Sequence, residues 1–155
     1  LNELLISKYP GIPIFFSWNE PYGLGGHVLT TNINSHGCYQ CIYDNQARHN
    51  RASFADKNQP RQFLKSVSGC GTIYTPFSSI DSRYTACLTV KKIIEVLNGY
   101  QTQNAVHSWK GNSKLFTQEG FNLSSRYKLN ETELLESATK FGSDTCSVCQ
   151  SIKQL

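Results

Sequence analysis

Two Cys-x-x-Cys pairs, Cys38-Tyr39-Gln40-Cys41 and Cys146-Ser147-Val148-Cys149, constrain this chain more than any other feature. A two-residue gap lets both sulfurs of a pair reach one ion. Two such pairs fill the four tetrahedral positions around zinc. Cys38, Cys41, Cys146 and Cys149 are therefore the expected ligands of a shared zinc ion. Four protein ligands leave no place for a catalytic water, so the site would be structural. It would clamp the end of the chain to a loop far upstream. The alternative is the disulfide framework of a secreted domain, which an even total of six cysteines would suit, as would the Asn-x-Ser/Thr sequences at Asn122 and Asn130. Against it, the 39% hydrophobic content can build a core without staples, and no basic leader precedes an apolar stretch.

The other two cysteines differ in setting. Cys87 falls on the apolar face of a long helical pattern and reads as a small core residue. Cys70 stands in Ser68-Gly69-Cys70-Gly71-Thr72, outside any regular element. Its flanking glycines remove bulk and permit unusual backbone angles, leaving the sulfur open to a large acyl partner. A loop cysteine in a glycine-requiring turn fits the same residues, and the two readings stay open at this point. Lys65 and Arg83 are the cations near enough in sequence to lower the pKa of such a thiol.

Periodicity gives a coarse map. Residues 1–7 read as the tail of a helix, 12–18 and 27–33 as strands, and 45–58 as a polar, irregular surface segment. Residues 61–67 read as a short helix with Pro60 at its first turn. The clearest element is a helix over 79–98, in which Ile80, Tyr84, Cys87, Val90, Ile94 and Leu97 recur at helical spacing as the expected core face. Ser78, Ser79 or Asp81 can cap its start, and Gly99 suits the left-handed position past its end. Residues 105–109 and 121–129 read as strands joined by a loop around Gly111. Asn130 with Glu133 makes a capping-box pattern for a last short helix, which Gly142 stops. Trp18 and Trp109 read as core or interface aromatics, and His27 as a satisfied structural histidine.

Composition narrows the function. Fifteen Lys and Arg against eleven Asp and Glu leave a net charge of +4 without a basic run, so no nucleic-acid surface is expected. No stretch approaches the length of a membrane span. With no Met and no leader, the chain reads as a cytoplasmic fragment of a longer protein.

In this order the pieces resemble the ThiF and ubiquitin-activating-enzyme superfamily. Gly37-Cys38-Tyr39-Gln40-Cys41-Ile42 and Cys146-Ser147-Val148-Cys149 look like its two zinc pairs. Gly69 to Gly99 fills the place of its crossover loop and long helix. Trp18-Asn19-Glu20-Pro21, Gly25-Gly26-His27, Gly69-Cys70-Gly71, Thr75-Pro76-Phe77-Ser78, Ser108-Trp109-Lys110-Gly111 and Ser124-Ser125-Arg126 are similar to bacterial enzymes of CBASS-type antiphage operons. Those enzymes fuse a ubiquitin-conjugating-like domain to a ThiF-like domain. The resemblance implies an α/β fold. Residues 1–155 would be the C-terminal part of an adenylyltransferase domain, with a mixed sheet, a long crossover helix and a zinc-clamped C-terminus. It implies ATP-dependent activation of a ubiquitin-like modifier or other protein C-terminus, and capture as a thioester on Cys70. It also implies a conjugating domain upstream and a homodimer. Gly23-Leu24-Gly25-Gly26 lacks the spacing of a nucleotide loop, so ATP and magnesium are expected only in the full-length parent. A sulfur-carrier adenylyltransferase of thiamine or molybdopterin biosynthesis, and a non-catalytic zinc-stabilised binding module, are the alternatives.

Overall fold

The computed structural model describes residues 2–33, 37–43, 50–66, 73–136 and 141–152. The chain opens with helix α1 (Asn2–Lys8) and strand β1 (Ile14–Asn19). A 3₁₀ turn, Pro21–Gly23, leads into β2 (Gly25–Thr31), and a second, Tyr39–Ile42, carries the first cysteine pair. A two-residue ladder, β3 (Lys65–Ser66) with β4 (Ile73–Tyr74), precedes the long helix α2 (Ser79–Leu97) and β5 (Ala105–Lys110). Three short helices follow: α3 (Lys114–Gln118), α4 (Glu131–Glu136) and α5 (Ser147–Ile152).

β1, β2 and β5 form one sheet in that order, antiparallel throughout. The expected mixed sheet has no parallel pair among the described residues. β2 lies in the middle and is buried along its whole length, as a central strand covered on both faces must be. Alternation sends Leu29, with Val106 of β5, towards an apolar cluster of Ile6, Ile42, Ala52 and Phe141 around the four paired cysteines. A second cluster, built on Tyr22, Leu24, Phe54, Phe116, Phe121 and Leu134, sits beyond the end of the strands.

The opposite face of the sheet carries α2. The helix comes close because Gly26 has no side chain: a Cβ there would run into Thr85 Oγ1 and the Trp109 indole nitrogen. Thr85 fastens the contact, donating to Asn19 Oδ1 and accepting from Trp109 Nε1 at 2.8 Å. Ser78 caps the helix, with Asp81 N donating to its hydroxyl at 3.1 Å and Ser78 N to the Asp81 carboxylate at 2.7 Å. Gly99 leaves it at φ +74°.

Several expectations need correction. α2 buries Thr85, Leu88 and Lys92, not its apolar stripe; Ile80, Tyr84, Cys87, Val90, Ile94 and Leu97 all face outward. In 61–67 the described residues form no helix but the edge strand β3. Residues 121–129 make a single bridge, Ala55 to Leu123, and then a 3₁₀ turn, Ser125–Lys128. The polar segment after residue 49 is not surface filler, since Ala52, Phe54 and Ala55 are core.

Candidate metal centre and the adjoining groove

Each cysteine pair is held by a tight local turn. Cys38 is extended, and the chain then curls into the 3₁₀ turn, with Cys41 N donating to Cys38 O at 2.9 Å. That curl sets the two sulfurs 3.9 Å apart. Cys146 directly precedes α5 and Cys149 lies in its first turn, while Cys146 N donates to Ser143 O at 3.2 Å. Across the pairs, Cys38 and Cys146 Sγ are 3.7 Å apart, and Cys41 and Cys149 Sγ 3.4 Å. All four sulfurs lie within 4.8 Å of one another, and all four residues are buried. An ion bound at about 2.3 Å by four thiolates at tetrahedral angles would space them by about 3.8 Å. The cluster could hold a metal ion such as zinc, and the sequence-expected ligands come together as one set. None of the described cysteines is in a disulfide.

The electrostatics are those of thiols that share protons. Hydrogen bonding from Cys38 pulls the Cys41 thiol down to about 4, while burial pushes the Cys149 thiol up to about 12. Arg51 locks the two halves together, its Nη2 donating to Cys41 O and, at 2.8 Å, to Phe141 O. Asn104, just before β5, donates to Gly37 O at 2.8 Å. Neither residue carries a sequence signal, because the backbone carbonyls they serve exist only once the turns have formed.

Beneath the sheet a buried polar chain joins the two apolar clusters. Glu20 Oε1 lies 2.8 Å from His27 Nε2, and His27 Nδ1 lies 2.7 Å from Ser108 Oγ. Arg126 Nη2 donates to Ser108 Oγ at 3.1 Å. Ser53 Oγ and Phe54 N donate to the Glu20 carboxylate at 3.0 and 3.2 Å. The pattern closes in one direction: Arg126 to Ser108, Ser108 to His27, His27 to Glu20. A serine, a histidine and an acid in a row suggest a nucleophile, but Ser108 and His27 are wholly buried and no substrate reaches them. The chain is a structural brace, as expected for His27.

Cys70 lies in residues 67–72, outside the described residues, so its surroundings are not described. The ends of that connection are β3 and β4, paired Lys65 to Tyr74 and Ser66 to Ile73. Lys65 is engaged with Glu119 at 3.2 Å and Arg83 is exposed on α2. Downstream of β4 the chain forms one wall of a groove of about 1100 Å³. Tyr22, Phe77, Tyr84 and Trp109 give it an aromatic lining, with Lys114 and Glu131 at its edges. No helix among the described residues is long and apolar enough to cross a membrane.

No family model matches the chain, and no solved structure matches it significantly. Over 103 residues it is 27% identical to the ATP-dependent ubiquitin transferase-like protein Cap2 of Pseudomonas aeruginosa. The aligned stretch covers 66% of this chain but only 18% of that relative, so the chain corresponds to a small part of the protein it is similar to.

Proposed function

We propose that this chain is part of an ATP-dependent ubiquitin-activating-like enzyme of the ThiF type, acting in antiphage defence, and that Cys70 accepts the activated C-terminus of a ubiquitin-like modifier. The similarity to a ubiquitin transferase-like protein over two thirds of the chain carries this reading. The four-cysteine cluster supports it as a closed zinc clamp. ATP and magnesium would bind elsewhere in the longer protein, and a conjugating domain would receive the acyl group.

The chemistry runs in two displacements. A carboxylate oxygen of the modifier attacks the α-phosphorus of ATP, and pyrophosphate leaves. The Cys70 thiolate then attacks the acyl carbon of the adenylate; a C–S bond forms, the acyl C–O bond breaks, and AMP departs with the electron pair. An extended tail lying in the aromatic groove would lead towards the connection that bears Cys70, because Tyr74 and Pro76 line the groove just after it.

The steps separate experimentally. In the full-length protein supplied with a ubiquitin-like modifier that it adenylates, Cys70→Ala is expected to keep ATP–pyrophosphate exchange within about threefold, since adenylation needs no thiol. It is expected to lose the dithiothreitol-sensitive adduct on a non-reducing gel. Loss of exchange together with the adduct, or an adduct that survives, would contradict the role.

A further inference from the structure

A smaller recess, of about 250 Å³, opens where the segment after residue 50 meets the turn that follows residue 123. A short antiparallel bridge, Ala55 to Leu123, holds the two segments together. Asp56 N donates to Asn122 O at 2.9 Å and Ser124 N to Phe54 O at 2.7 Å. Ser124 Oγ adds a bond to Ser53 O at 2.8 Å. No apolar side chain lines the recess. Three cations, Arg51, Lys57 and Arg126, stand there against one acid, Asp56.

Two of these cations are already fixed. Arg51 Nη2 is pinned to Cys41 O and Phe141 O, and Arg126 Nη2 to Ser108 Oγ. A guanidinium carries five N–H donors in a rigid fork. Arg51 spends one nitrogen on the two carbonyls, and its other donors have no partner among the described residues. Lys57 is exposed and makes no ion pair among them, and the exposed Ser125 has its hydroxyl unspent. The acids are occupied. Asp56 accepts from Asn58 N at 2.7 Å, within its own turn. Glu20, the acid that acts on Arg126, is taken up by His27, Ser53 Oγ and Phe54 N.

We propose that this recess binds the phosphate group of a small polar molecule. Prefixed arginine forks suit phosphate oxygens, which accept several charge-assisted hydrogen bonds at once. The volume falls below the ~300–1,000 Å³ of pockets that enclose a whole drug-sized ligand, so the phosphate enters and the rest of the molecule stays outside. With no aromatic or apolar lining, nothing stacks a nucleobase and nothing grips the side chains flanking a phosphorylated residue. Inorganic phosphate and the phosphomonoesters of sugars or glycerol are the fitting class. None of these residues lines the aromatic groove, so the inference is independent of the role of Cys70.

The experiment is calorimetric titration of the full-length protein with inorganic phosphate. An excess of a non-hydrolysable ATP analogue with magnesium keeps the nucleotide site filled. One phosphate per chain is expected. Glycerol phosphate is expected to bind within about fivefold of it, and acetate about 30-fold more weakly. Lys57→Glu should weaken phosphate binding about 30-fold and Ser125→Asp about tenfold, while Lys57→Arg should hold it within about threefold. Both positions are exposed, so the circular dichroism of these variants should match the parent. No binding up to about 10 mM phosphate would overturn the proposal. So would a site untouched by both Lys57→Glu and Ser125→Asp, or one that takes acetate as well as phosphate. A phosphoserine peptide that binds about tenfold more tightly than glycerol phosphate would assign the recess to a protein partner, and the proposal would also fail.

Discussion

His107 sits on the α2 face of β5, buried, and among the described residues its Nδ1 has no hydrogen-bond partner. Burial, reinforced by Lys92, pulls its pKa down to about 4; Arg126 and Lys91 act the same way and Glu95 opposes them. Its unfolded value is about 6.5, so the unfolded chain binds the extra proton first. The stability from keeping this imidazole neutral is therefore present above about pH 6.5 and is lost as pH falls towards 4. Between those limits the loss should reach about 3 kcal/mol. Urea unfolding at pH 7 and pH 4.5 is expected to show a large drop that shrinks in His107→Gln. An equal drop in the variant would contradict this origin.

Helix α2 shows how far the sequence could be read and where it stopped. Its extent, its Ser78–Asp81 cap and its Gly99 exit were all legible, because they depend on local backbone geometry. Ser78→Ala is expected to cost about 1 kcal/mol, measured as a lower denaturation midpoint. Which face is buried was not legible. Spacing identifies an apolar stripe, but not the surface that covers it. Here the helix is placed by Gly26, whose missing side chain admits Thr85, and by the bonds from Thr85 to Asn19 and Trp109. Residues 61–66 failed for a related reason: their edge pairing with β4 is a tertiary decision that local propensity does not record. The Asn130–Glu133 cap was legible for the same reason as Ser78, and the reciprocal bonds are present at 3.1 and 2.8 Å.

Across the whole molecule the two cysteine pairs hold together segments 108 residues apart. The four-cysteine cluster was legible because Cys-x-x-Cys spacing is a local property. Arg51 and Asn104, which brace it, were not, because they act on carbonyls of distant turns. Zinc binding contributes on the order of 10 kcal/mol in small peptides, so the clamp should dominate the stability of this unit. The full-length protein is expected to contain one zinc for this site by elemental analysis. Cys146→Ser should release it and lower the melting midpoint of this unit by about 20 °C or more. A metal-free protein of unchanged stability would show the cluster to be only a packed set of thiols.

The central claim is that the thiol of Cys70, and no other, receives the acyl group. Its most direct measurement is peptide mass mapping of the full-length protein quenched in acid after a single turnover with ATP and a ubiquitin-like modifier that it adenylates. The account predicts the modifier's C-terminal residues on the peptide containing Cys70, released by dithiothreitol; Cys70→Ser should carry them as a resistant ester. Finding them on Cys87, on one of the paired cysteines or on no cysteine of this chain would contradict it.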